Sequence, residues 1–145
     1  MLKVMFLCTG NSCRSQMAEG LARELSKGQI EVFSAGLRPA GLNEKAVRVM
    51  GEIGIDISQQ KSKPIDEELF KKMDVIITLC DDAAESCPLT PPGIKRIHWS
   101  LSDPAKAAGS DEVIMNEFRR VRDEIKDRIV DFLRKYTNTT NLDNS

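Results

Sequence analysis

The stretch Leu2-Lys3-Val4-Met5-Phe6-Leu7-Cys8-Thr9-Gly10-Asn11-Ser12-Cys13-Arg14-Ser15-Gln16-Met17 decides the fold. Residues 2–7 are an apolar run broken only by Lys3, the pattern of a buried strand, and from residue 16 to 26 Met17, Leu21 and Leu25 recur with helical spacing. Between the two lies a short loop, residues 8–15, with a glycine inside it. A loop in that position can curl its backbone N–H groups around a tetrahedral anion at the helix N-terminus. Gly10 adopts backbone conformations that other residues resist. Arg14 can close the ring with a planar, permanently charged fork, where lysine would offer only a point charge. The same positive surroundings favour the thiolate of Cys8, the competent nucleophile, and Ser15 can hydrogen-bond its sulfur. A buried cysteine ending a strand is the plainer reading. The strand before, the glycine within and the helix after weigh against it and make residues 8–15, namely Cys8, Thr9, Gly10, Asn11, Ser12, Cys13, Arg14 and Ser15, an expected oxyanion site. Cys13 is expected to pack or hydrogen-bond rather than react.

Outward from that stretch, strand and helix keep alternating. Residues 31–34 read as a second short strand, and Asn43 is placed to cap a helix carrying Val47, Met50 and Ile53 toward the core, with Gly54 just past its end. Residues 66–73 read as a short helix, 75–79 as a buried strand, and 94–99 as a fourth strand after the Pro91-Pro92-Gly93 turn. Ser110 can cap a last helix in which Ile114, Phe118, Val121, Ile125, Ile129 and Phe132 form one apolar stripe. Alternation of this kind requires crossover connections, so the expected fold class is α/β, a parallel sheet with helices on both faces. Ligands of such folds sit outside the carboxyl ends of the strands, where Cys8, Cys80 and the segment after Trp99 fall. Residues 1–136 are expected to form a single domain and residues 137–145 a polar, frayed tail.

At 145 residues the chain suits one domain that needs no disulfide staple. Its 41% hydrophobic and 30% charged residues are those of an ordinary globular protein, which argues against disorder or a coiled coil. With 21 basic against 22 acidic residues there is no broad field to draw nucleic acid or an anionic membrane, so neither is an expected partner and any anion must be held by local geometry. The N-terminal apolar run is too short for a signal segment or a membrane span, which points to the cytoplasm. In that reducing compartment the four cysteines are read as catalytic, metal-binding or inert, not as permanent disulfides, and the sequon at Asn138 as chance. A monomer is expected.

Several further stretches carry a resemblance: Ser34-Ala35-Gly36, Thr78-Leu79-Cys80, Cys87-Pro88, Pro91-Pro92, His98-Trp99, Asp103-Pro104-Ala105 and Val121-Arg122-Asp123-Glu124-Ile125, together with residues 8–19. With these the chain resembles, over nearly its whole length, the low-molecular-weight tyrosine phosphatase fold family and, within it, the thioredoxin-coupled arsenate reductases. The resemblance implies a three-layer, four-stranded parallel sheet of order 2-1-3-4. It also implies Cys8 as nucleophile, Arg14 as oxyanion clamp, Asp103 as general acid, and Cys80 and Cys87 as redox relay residues. No bound cofactor or metal is implied. Reduced thioredoxin would be the electron donor and arsenate the substrate, with phosphate or sulfate as competing anions. Some relatives hold a potassium ion with residues matching Asn11, Glu19 and Ser34; where those have a fourth, carboxylate ligand this sequence has Lys63, whose ammonium can take the cation's place.

Chemistry separates the two activities of such a site. Phosphoryl transfer through a cysteine needs one thiol and one acid, whereas reducing arsenate to arsenite takes two electrons from thiols, so a second cysteine must reach Cys8. In the implied strand order the first and third strands are neighbours about 4.8 Å apart, and Cys8 and Cys80 each follow one of them. That spacing is compatible with the roughly 4.4 to 6.8 Å between Cα atoms that a disulfide accepts, so a transient Cys8–Cys80 bond is feasible. Cys87 would carry the oxidation onward as a Cys80–Cys87 bond. If the intervening segment is helical its ends stand roughly 10 Å apart, so it must unwind and loop outward to be bridged. A zinc pair is the poorer reading of Cys80 and Cys87, because their spacing departs from short ligand pairs and His98 supplies no zinc motif. His98 beside Trp99 is read as strand packing.

Asp103 before Pro104 sits in a stiffened turn that can hold a carboxylate above the anion loop. The residues after it, Ala105, Lys106 and Ala107, lack the aromatic side chains that phosphotyrosine-specific relatives carry there. Arsenate reduction, serving arsenate detoxification, is therefore the expected function. A phosphatase acting on phosphomonoesters or phosphotyrosine is the alternative, and residual phosphatase activity can coexist with reduction. A non-catalytic oxyanion or redox sensor is the third reading, and the retained acid at Asp103 argues against it.

Overall fold

The computed structural model describes residues 1–81, 83 and 90–137. Four strands form one sheet: β1 (Leu2–Cys8), β2 (Ile30–Gly36), β3 (Val75–Thr78) and β4 (Lys95–His98). All neighbouring pairs are parallel and the order is β2-β1-β3-β4, the order the resemblance implied. β1 is central, and every residue from Val4 to Cys8 is buried, as are all four of β3. β4 is the exposed edge, and its Lys95, Arg96 and His98 blunt it against pairing with another chain.

Helices flank the sheet: α1 (Arg14–Ser26), α2 (Glu44–Glu52), α3 (Glu67–Lys71) and α4 (Asp111–Tyr136), with a 3₁₀ turn at Pro104–Lys106. The starts follow the caps. Asn43 Oδ1 accepts from Lys45 N at 2.8 Å and Ala46 N at 3.3 Å, Asp66 Oδ1 from Glu68 N at 3.0 Å, and Ser110 Oγ from Val113 N at 3.3 Å. Met17, Leu21 and Leu25 are buried as their spacing required. In α1, Gly20 lets α2 and its following loop come close, since a Cβ there would stand 2.6 Å from Ile57 Cγ2.

Two core assignments need correction. In α2 the buried stripe is Ala46, Val49 and Met50, while Val47 is half-buried and Ile53 exposed. Apolar residues at 46, 47, 49, 50 and 53 draw two overlapping stripes, and docking against α1 and α4 selects the first. In α4, Ile114 is only half-buried and Met115 replaces it in the core; the remaining stripe from Phe118 to Phe132 is buried as expected. α4 is tied to α2 by Arg122, whose Nη1 donates to the Val49 carbonyl at 2.8 Å and meets Glu52 Oε1 at 3.1 Å. That cation serves the open carbonyl end of α2. The tail from residue 138, with the sequon at Asn138, lies outside the described residues, and no helix among the described residues is long and apolar enough to cross a membrane.

Candidate active site

Parallel pairing brings Cys8, at the end of β1, and the residues after β3 to one edge of the sheet, with Leu7 beside Thr78 and Leu79 N donating to the Leu7 carbonyl at 2.8 Å. The segment after β2 straps the loop from outside. Arg38 N donates to Thr9 O at 2.8 Å, Ala40 N to Gly10 O at 2.9 Å, Asn43 N to Ser12 O at 3.1 Å, and Ser62 Oγ also donates to Gly10 O at 2.9 Å. With its carbonyls engaged on that side, the loop's amides are the backbone groups left for an anion. Gly36 makes the strap possible: a Cβ there would lie 2.7 Å from Asn11 N and 2.9 Å from the Gly10 carbonyl carbon. Its necessity was not read from the sequence, although it ends the quoted Ser34-Ala35-Gly36.

Two of the eight expected anion-loop residues turn inward. Asn11 and Ser15 are fully buried, whereas Cys8, Thr9, Gly10, Ser12, Cys13 and Arg14 line the pocket. Asn11 has a left-handed backbone with φ of 46°, a conformation asparagine tolerates better than most residues. Its Nδ2 donates to Ser15 Oγ at 2.8 Å and Ser34 Oγ at 3.0 Å, and its Oδ1 accepts from Gln16 Nε2 at 3.1 Å and Lys63 N at 2.9 Å. Because Ser15 Oγ accepts from Asn11, its own proton is available to Cys8 Sγ, 2.9 Å away, and a donor aimed at the sulfur suits its anionic form. Cys13 differs. Burial first, and then the charge of Asp103, pushes its thiol up to about 12, which keeps it protonated and unreactive at neutral pH.

Arg14 is held in plane by two partners. Its Nη1 donates to the Leu101 carbonyl at 3.0 Å and its Nη2 faces Asp103 Oδ2 at 3.6 Å. Asp103 caps the 3₁₀ turn, its Oδ1 accepting from Ala105 N at 3.0 Å, and so stands over the loop as the Asp-Pro turn foretold. The pocket wall of Arg38, Ala40, Asp103 and Ala105 contains no aromatic ring.

Cys80 reaches the same place. Its Sγ lies 3.2 Å from Thr9 Oγ1 and 3.4 Å from Ala83 N, and it lines an adjoining pocket with Thr9, Arg14, Asp81, Leu101, Asp103 and Lys106. Cys8, Cys13 and Cys80 are free thiols and buried. Cys87, and residues 82 and 84–89 generally, lie outside the described residues. His98 does not pack as expected: its ring is part-exposed and bridges Thr78 Oγ1 at 2.8 Å and Asp81 Oδ1 at 3.1 Å, tying β4 to the residue after Cys80.

Behind the loop, Glu19 is buried and accepts from Ser34 Oγ, with Arg23 Nη1 at 2.9 Å. The Lys63 ammonium lies 3.2 Å from Ser34 Oγ, 2.9 Å from the Lys61 carbonyl and 3.5 Å from Glu19 Oε1, a set of oxygens that would otherwise suit a monovalent cation.

The model of the low molecular weight phosphotyrosine protein phosphatase family matches residues 3–142. An arsenate reductase of Bacillus subtilis (strain 168) is 52% identical over 129 residues, 89% of this chain and 93% of its own. One from Halalkalibacterium halodurans is 54% identical over the same shares. Among solved structures, an arsenate reductase in the phosphate binding state superposes with a TM-score of 0.77 at 39% identity, over 94% of this chain and all of that one. A thioredoxin-dependent arsenate reductase of Corynebacterium glutamicum gives 0.75 at 27% identity, over 93% of this chain and 61% of that one.

Proposed function

The chain belongs to the low molecular weight phosphotyrosine protein phosphatase family, and from that membership and a second thiol beside its anion loop we propose that it is an arsenate reductase. The observation that carries the reading is Cys80 Sγ, 3.2 Å from Thr9 Oγ1 of the loop that begins with Cys8. Phosphoryl transfer has no use for it.

In the proposed cycle Cys8 thiolate attacks the arsenic of arsenate while loop amides and Arg14 stabilise the developing charge, and Asp103 gives its proton to the departing oxygen. A Cys8–S–As(V) adduct and water result. Cys80 thiolate then attacks the Cys8 sulfur; the S–As bond breaks, its electron pair stays on arsenic as As(III), and arsenite leaves behind a Cys8–Cys80 disulfide. Cys87 attacks Cys80 and expels Cys8 as thiolate, and the Cys80–Cys87 disulfide is reduced by the dithiol of thioredoxin. Arsenic gains two electrons and each disulfide exchange conserves them.

The test is arsenate-dependent NADPH consumption with thioredoxin and its reductase, set beside p-nitrophenyl phosphate hydrolysis. Sustained consumption with weak hydrolysis is expected. Hydrolysis without arsenate reduction would make the protein a phosphatase instead.

The ammonium of Lys63 gives a second expectation. Exchanging a large organic cation for potassium at constant ionic strength should leave kcat/KM unchanged, and Lys63→Asp should acquire a several-fold potassium response. A several-fold gain in the unsubstituted protein would show that the ammonium does not stand in for the ion.

A further inference from the structure

Arg14 does not meet an incoming anion with uncommitted charge, because its guanidinium already faces Asp103 at 3.6 Å and donates to the Leu101 carbonyl at 3.0 Å. With Cys8 as thiolate and Asp103 ionised, the side chains at the pocket floor are net negative, and protonating Asp103 only balances them. Asp81 adds a carboxylate on the Cys80 side, paired with His98 at 3.1 Å. The formal charge of the whole chain is −1, so no general field compensates. The loop amides can hold an oxyanion once it arrives, but they fall off in influence within the first helical turn.

Two cations stand at the mouth. Arg38 lines the wall with Gly10 and Ala40, and Lys106 lines the wall with Thr9, Cys80 and Asp103. Both are exposed, and neither head group has a hydrogen-bond or ion-pair partner among the described residues. Their backbones are nonetheless anchored to the site: Arg38 N donates to the Thr9 carbonyl at 2.8 Å and Lys106 N to the Asp103 carbonyl at 3.1 Å. Each is thus an exposed charge on a fixed root, with no partner among the described residues to abandon when it turns toward an anion.

We propose that Arg38 and Lys106 form a cationic vestibule that captures small, multiply charged oxyanions and delivers them to the anion loop. This rests on the reading of the site as an arsenate-reducing centre and assigns its substrate selectivity to the rim as well as to the loop. The same chemistry recognises arsenate, phosphate and sulfate, and it disfavours singly charged or neutral esters. Exposed charge pairs of this kind change affinity by about two- to fivefold each, and the contribution fades as added salt shortens the Debye length from about 10 Å.

The test is a charge series at each position, Arg38→Lys, →Gln and →Glu, and Lys106→Arg, →Gln and →Glu, with the double glutamine variant. Two readouts are followed at several salt concentrations: kcat/KM for arsenate, and the Kd of inorganic phosphate by calorimetry. Expected is a graded loss from cation to neutral to anion, rescue by the charge-conserving variants, and KM rising more than kcat falls. In the double glutamine variant both quantities should lose most of their salt dependence. Wild-type kcat/KM, phosphate Kd and salt slope in that variant would overturn the vestibule. Because phosphate affinity is read without catalysis, a rim-dependent Kd in a protein that fails to reduce arsenate would leave the vestibule standing and remove the reductase reading.

Discussion

Cys8→Ser is expected to abolish both arsenate reduction and p-nitrophenyl phosphate hydrolysis, a loss of about 10⁴-fold or more in each. A serine hydroxyl at that position is a far weaker nucleophile than a thiolate, and it has no redox chemistry with which to pass electrons to arsenic. The anion loop itself should survive. Its carbonyls are held by the strap at residues 38–43, Asn11 still bonds Ser15 and Ser34, and Arg14 still bonds Leu101. Inorganic phosphate should therefore still bind and still raise the thermal unfolding midpoint, as any ligand specific to the folded state does. The pairing of full binding with no turnover isolates the nucleophile. Measurable arsenite production by Cys8→Ser would transfer the first chemical step to another thiol.

The opening stretch was legible because two periodicities meet there with a glycine between them, and a break of that kind is a local feature. The helix nonetheless starts at Arg14, three residues before Met17, the first of its apolar repeat, since the end of the anion loop is already helical. What local pattern cannot report is which of two possible stripes a neighbour will cover, and so Ile53 was placed inside when it lies at the surface. The same blindness hid Gly36. Its need for a bare Cα comes from Asn11 and Gly10, more than twenty residues earlier in the chain. Local pattern is equally silent on the inward turn of Asn11, whose partners Ser34 and Lys63 come from two other parts of the chain; only the family resemblance grouped them. Strand order came from family resemblance and not from periodicity, which is silent on which strands are neighbours. Asp103 was readable as an Asp-Pro turn; that Arg14 would be fixed between it and the Leu101 carbonyl was not.

Cys80→Ser should separate the two chemistries that the site can support. Serine is close in size to cysteine and can keep a hydrogen bond to Thr9, so the pocket with Cys8, Arg14 and Asp103 is expected to stay intact. Hydrolysis of p-nitrophenyl phosphate, which needs only Cys8, Arg14 and Asp103, should continue. Arsenate-dependent NADPH consumption should drop to background, because the thiol assigned to attack the Cys8 sulfur and release arsenite is gone. Cys13 is the obvious substitute, being a free thiol in the same loop. Its thiol is pushed up to about 12, so at pH 7 only about one molecule in 10⁵ carries the thiolate needed for exchange. Raising the pH toward the upper limit of stability should therefore restore little turnover. Sustained thioredoxin-driven arsenite formation by Cys80→Ser at neutral pH would mean that the electrons reach arsenic without Cys80, and the disulfide relay would have to be redrawn from a different second thiol.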